Sequence, residues 1–104
     1  MSQFTVYQNT SGDNEAYPYL IDIQHPILED LPSRVVIPLA RSTNYSTMQI
    51  KGLSPVIEFA GEKLILMTHQ LGSIPIKELG DPIGSLSHLH TDIVSALDFL
   101  ISGF

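Results

Sequence analysis

The stretch Arg34-Val35-Val36-Ile37-Pro38-Leu39 decides the fold class. Three successive β-branched residues favour extended backbone, and a run this apolar needs cover on at least one face. Pro38 removes one ladder donor near the end of the run. Working back toward the N-terminus, residues 17–23 alternate at period two. Tyr17, Tyr19, Ile21 and Ile23 share one face, with Pro18 and Asp22 on the other. Pro18 predicts that this strand lies near a sheet edge. Phe4-Thr5-Val6-Tyr7 repeats the alternation and reads as the first strand. Between these two, residues 9–15 are polar and contain Gly12, Asp13 and Asn14, the composition of a loop. Residues 25–33 carry Pro26 and Pro32, which excludes a central strand, and hold the apolar pair Ile27 and Leu28.

Past the central run, residues 41–47 are rich in Ser, Thr and Asn and read as a second exposed loop. Residues 55–59 and 63–68 read as two strands joined by Ala60-Gly61-Glu62. Ser73-Ile74-Pro75-Ile76-Lys77 is a short further strand. Gly80, Asp81, Pro82 and Gly84 then punctuate the chain. The last element reads as a helix from Ser85 or Ser87 to Ile101, with either serine as N-cap. The expectation is a single domain over residues 1–104, mainly β (α+β), closed by one C-terminal helix.

On that helix Leu86, Leu89, Ile93, Leu97 and Leu100 form one stripe that should cover the sheet. Val94, Phe99 and Ile101 point elsewhere. Either loops bury them or a second copy of the chain packs there. The helix end also lacks Lys, Arg and His from Val94 onward and carries Asp98, against the preference of helix C-termini for positive charge. The tail Ser102-Gly103-Phe104 reads as uncapped and anionic.

Composition narrows the function. The 43% hydrophobic and 15% charged content is that of a folded protein. Acidic residues outnumber basic ones 11 to 5, for a net charge of −6. The five cations Arg34, Arg41, Lys51, Lys63 and Lys77 are scattered. Phosphate backbones and anionic membranes call for clustered positive charge. Neither is an expected direct partner; a partner with a basic face suits this chain better. There is no cysteine, no signal-peptide pattern and no apolar run long enough to span a bilayer, so a cytoplasmic protein is the expectation.

Chemistry is hard to place. His88 and His90 are two apart on a helix and diverge, while His25 and His69 lie in separate segments, so no metal site is expected. No serine sits in an elbow motif, and no glycine loop could cradle a phosphate. Asp22 and Glu58 are expected to form surface ion pairs with Arg34 or Lys63. No catalytic residues and no cofactor are assigned. A protein that binds other proteins fits better than an enzyme.

With these elements in place, the sequence resembles the CcdB family of toxins. The resemblance rests on Gln3-Phe4-Thr5-Val6-Tyr7, on Ile21-Asp22-Ile23-Gln24 followed by Ile27-Leu28, and on Val36-Ile37-Pro38-Leu39-Ala40. It continues through Met67-Thr68, Ser73-Ile74-Pro75-Ile76, Leu86-Ser87-His88 and Gly103. It implies a homodimer with an SH3-like small barrel of antiparallel strands and a C-terminal helix, an architecture shared with MazF-type toxins. It further implies a non-enzymatic toxin that binds the DNA gyrase A subunit and traps gyrase on cleaved DNA, neutralised by a CcdA-like antitoxin. The implied gyrase contacts are Ile27, Leu28, Asp98, Ile101, Ser102, Gly103 and Phe104. Val94, Phe99 and Ile101 then become dimer interface, and residues 8–15 and 41–46 antitoxin contacts. The chain departs from the family pattern at Ser102, where a tryptophan stands in a well-known member, and at Phe104 and Asp98. Two other readings share the fold: a MazF-like endoribonuclease, and a family member that folds but has lost its poisoning activity.

Overall fold

The computed structural model describes residues 3–41 and 52–103. These form strands β1 (Thr5–Gln8), β2 (Tyr19–Asp22), β3 (Ser33–Arg41), β4 (Val56–Phe59), β5 (Glu62–Leu66), β6 (Gly72–Pro75) and β7 (Pro82–Ser85), and helix α1 (His90–Ser102). Residues 42–47 of the second predicted loop, and Phe104, lie outside the described residues.

All pairings are antiparallel, and β3 organises them. One side of β3 carries β2, from Tyr19 opposite Leu39 to Asp22 opposite Val36. The other side is divided. Its C-terminal third takes β5, with Leu39, Ala40 and Arg41 opposite Leu66, Ile65 and Leu64. Its N-terminal part takes β6, from Ser33 opposite Pro75 to Val36 opposite Gly72. Pro38 falls between these two ladders, so its missing N–H interrupts neither. The sheet order is β4-β5-β3-β2-β1-β7, with β6 beside β3.

The structure corrects the placing of β2, which is internal, between β1 and β3. Pro18 lies just outside the ladder, and its carbonyl accepts the Asn9 N–H at 3.0 Å. β7 is a strand that the sequence pattern did not announce. It pairs with β1 across a register shift between Val6 and Tyr7. The β4–β5 hairpin closes on Ala60 and Gly61 with φ of 54° and 76°. This positive pair matches a two-residue turn whose twist suits a hairpin.

The sheet curls into a partial barrel. A Cβ built on Gly84 in β7 would meet the Phe59 ring of β4 at 2.7 Å, so strands from the two ends of the sheet order touch. Phe59 in turn packs edge-on against Tyr19, with ring centroids 5.3 Å apart. Inside lie Phe4, Val6, Ile21, Ile37, Leu39, Ile57, Leu64 and Leu66, covered by Leu86, Ile93 and Ala96 from the C-terminal segment. A satellite cluster of Ala40, Ile65 and Met67 under Tyr17 occupies the opposite face of β3 and β5. Period-two alternation is therefore visible in these strands even though both faces are partly covered.

The helix begins later than predicted. Leu86 donates its N–H to the Phe4 carbonyl at 2.8 Å, which holds this residue to the barrel. A 3-10 turn, Ser87–Leu89, follows, and the α-helix starts at His90. Neither predicted serine caps it; Ser85 ends β7, and its Oγ accepts the Ser87 N–H at 3.2 Å. Phe4 itself is not in the first strand. It takes a φ of 68°, an αL conformation that costs a non-glycine residue about 1–3 kcal/mol. Burial of its ring, edge-on to His90 at 5.4 Å, offsets that cost.

Candidate functional site

Two elements carry the residues singled out from the sequence. The first is the turn between β2 and β3. His25 accepts the Ile27 N–H on Nδ1 at 3.1 Å, and Pro26 occupies the first position of the 3-10 turn Pro26–Leu28. A proline is tolerated there because its absent N–H would have had no partner. The turn closes through Leu28 N–H to the His25 carbonyl, Glu29 N–H to Pro26 and Leu31 N–H to Leu28, at 2.9, 3.0 and 3.1 Å. It presents Ile27, 81% exposed, with Leu28 and Leu31 also open to solvent.

Beneath this turn lies a buried polar network. Asp22 and Arg34 are 2% and 4% exposed. Their expected pairing exists, but it is buried and not on the surface: Arg34 Nε stands 3.6 Å from Asp22 Oδ2. Arg34 spends its other donors on the turn, with Nη2 reaching the Glu29 carbonyl at 2.9 Å and Nη1 the Leu28 carbonyl at 3.3 Å. Gln24 donates from Nε2 to the same Leu28 carbonyl at 2.9 Å and accepts the Val35 N–H at 3.0 Å. Asp22 Oδ1 accepts the Gln24 N–H at 2.9 Å. Burial raises the Asp22 carboxyl above its ordinary range, and the Gln24 N–H and Arg34 oppose that shift. Burial, reinforced by Asp22, likewise raises the Tyr7 hydroxyl. The sequence did not single out Gln24, and it read Arg34 only as one member of a surface ion pair. The available signal was a charge on each of two neighbouring strands that are otherwise apolar.

The second element is the end of α1. Asp98, Ile101, Ser102 and Gly103 are all exposed, Ile101 at 82%. No basic residue stands in the last turn. The expectation of an uncapped end is corrected. Gly103 adopts φ 80° and ψ 8°, and its N–H donates to the Phe99 carbonyl at 2.8 Å. Such a left-handed terminus is glycine's usual role, since a Cβ is penalised there. Val94 packs against the core, and Phe99 is partly covered, its ring lying beside Gly52. Leu100, predicted to cover the sheet, is instead exposed, and Ala96 takes the buried position. Besides covering the barrel core, the helix packs against the turn Thr68–Gln70. Ile27 and Leu28 thus stand on one element and Asp98–Gly103 on another.

A groove of about 520 Å³ lies elsewhere, beside the 9–13 loop. Leu20, Val36, Pro38 and Ile74 give it an apolar floor, and Asp13 and Glu78 are the charged groups among its described lining residues. Asn9 shapes the loop. Its Nδ2 donates to Asp13 Oδ1 and the Tyr17 carbonyl at 3.0 and 2.7 Å, and its Oδ1 accepts the Ser11 N–H at 3.0 Å. Hydrogen bonds from Ser11 and Asn9 hold the Asp13 carboxyl below its ordinary range, so it stays ionised. Arg41 donates to the Glu15 carbonyl and lies 3.4 Å from Glu62, which ties this loop to the start of the second one.

Among the described residues no group of His, Asp and Glu converges so as to hold a metal ion, and no helix is long and apolar enough to cross a membrane. Among the described residues the exposed chemistry is apolar side chains on two hydrogen-bonded elements and one acidic groove. The family model for the CcdB protein matches residues 3–103, and the chain belongs to that family of toxin–antitoxin toxins.

Proposed function

We propose that this protein is the toxin of a type II toxin–antitoxin module and acts by binding, without catalysis of its own. A homodimer engages the DNA gyrase A subunit and stabilises the enzyme with its DNA cleaved. Binding one state of a target in preference to others shifts the population toward that state. One observation carries the reading. Ile101 and Ile27 are the most exposed of the large apolar side chains among the described residues, at 82% and 81%. Both fall where the family resemblance puts gyrase contacts. Apolar groups this open raise no stability in the free chain and suit a partner that buries them.

Leu28, Asp98, Ser102, Gly103 and Phe104 complete the proposed contact set. Val94, Phe99 and Ile101 are the proposed dimer contacts, with Ile101 offering the largest uncovered area of the three. A CcdA-like antitoxin is the proposed occupant of the acidic groove and the 8–15 loop, together with residues 41–46. The ionised Asp13 supports a basic segment in that partner.

The test is expression in bacteria carrying either normal gyrase or a variant resistant to such toxins. Growth arrest confined to the normal strain is expected. Deleting Gly103 and Phe104 should abolish arrest while thermal unfolding and antitoxin binding stay near wild type. Arrest in both strains, or sequence-specific cutting of total RNA by the purified protein, overturns the proposal in favour of a ribonuclease.

A further inference from the structure

We propose that Gln24 and Arg34 are positioning residues that hold the 26–28 turn in the shape its target meets, with Asp22 anchoring both from below. The proposal rests on the reading of Ile27 and Leu28 as target contacts. The 3-10 turn has no buried side chain of its own, so no apolar anchor within the turn fixes it to the barrel. It is fixed instead through its carbonyls. Leu28 receives Gln24 at 2.9 Å and Arg34 at 3.3 Å, and Glu29 receives Arg34 at 2.9 Å.

A buried ion pair is a poor device for stability alone, because apolar side chains of similar volume often serve as well. Apolar side chains cannot donate to two successive carbonyls of a surface turn. The fork of an arginine can, and its planar geometry fixes direction as well as distance. A turn held this way exposes its isoleucine without the ordering cost that a loose loop meets on binding.

The experiment uses the full chain and the purified gyrase A subunit, and it reads amide hydrogen exchange together with affinity. In Gln24→Met the Leu28 carbonyl loses its 2.9 Å donor and the Val35 N–H its acceptor, and the amides of Leu28, Glu29 and Leu31 should exchange roughly tenfold faster. The Met67 amide, bonded to the Pro38 carbonyl in the barrel, should keep its wild-type rate. Affinity for the gyrase subunit should fall by roughly the same factor. Arg34→Lys keeps the charge beside Asp22 but cannot span both carbonyls, and it should show the same pattern. Turn amides that keep their wild-type rates overturn the proposal. So does a uniform acceleration that includes Met67, which marks a purely structural role. Faster turn exchange with unchanged affinity also overturns it. Ile27→Ser separates the two readings, since it should weaken binding while leaving exchange intact. If it binds as wild type, the reading of Ile27 as a contact fails, and the anchoring of the turn is decided by the exchange data alone.

Discussion

Gly84→Ala tests whether the sheet curls so that its two ends meet. The added Cβ would sit 2.7 and 2.8 Å from Cε1 and Cζ of Phe59. Carbon atoms in comfortable contact stand about 3.5–4.0 Å apart, so ring and strand must separate by roughly 1 Å. Gly84 has no positive φ, so alanine's backbone preferences add no strain and the effect is steric. The ring has little room to turn away, because its other side packs on Tyr19. Overpacking of this kind costs about 1–3 kcal/mol. For a domain near this size, each kcal/mol lowers Tm by about 4–8 °C. The assay is urea unfolding of Gly84→Ala, Phe59→Leu and the double variant. Leucine in place of the ring removes the clashing carbons, so the double variant should be more stable than the sum of the single changes predicts. A coupling of about 0.5–2 kcal/mol is expected for residues in contact. If Gly84→Ala falls within about 0.5 kcal/mol of wild type, or the cycle is additive, the two strand ends do not meet as described.

Two isoleucines eight residues apart on α1 should behave oppositely. At a concentration low enough to keep the chain monomeric, Ile93→Ala, at a fully buried position, should cost about 2–5 kcal/mol in denaturant unfolding, while Ile101→Ala stays within about 0.5 kcal/mol. Equal losses would contradict the packing of the helix. Asp98→Lys should stabilise the helix end by about 0.3–1 kcal/mol while weakening target binding, and a gain in both would remove Asp98 from the contact set. In an acid titration followed by carboxyl NMR, Asp22 should protonate above 3.8 and Asp13 below it. The sign follows by linkage. The raised Asp22 carries a penalty that is present above its folded pKa and relieved as pH falls through it. The stability contributed by Asp13 is present above 3.8 and lost as pH falls through its lowered pKa. The reverse order of titration would refute both assignments.

Much of the barrel is legible in the sequence because alternation survives wherever one strand face meets the core. β2 could be read this way from Tyr19, Ile21 and Ile23, while β3 was legible from its β-branched run and the β4–β5 hairpin from two runs around Gly61. β7 could not, because its Gly84 is required by the Phe59 ring and its Pro82 opens the strand, and both residues ordinarily signal a turn. The helix start was misplaced for a related reason. Leu86 continues the apolar stripe of the helix, yet its backbone belongs to the barrel through the Phe4 carbonyl. At the candidate site, the exposed apolar residues could be named from the resemblance, but their support could not. Asp22 and Arg34 read as surface charges until the fold brings β2 and β3 together and closes them off from water. Gly103 read as part of a loose tail because a capping glycine depends on a helix ending at that residue.

The division of β3 between β5 and β6 has a consequence for how the molecule comes apart. One strand from before β3 and two from well after it all hydrogen-bond to the same nine-residue strand. Pulling β3 free strips three neighbours at once, so its own amides should open only when most of the sheet opens with them. A cell protease should therefore reach that strand only in a chain that has already opened, whatever it clips at the margins.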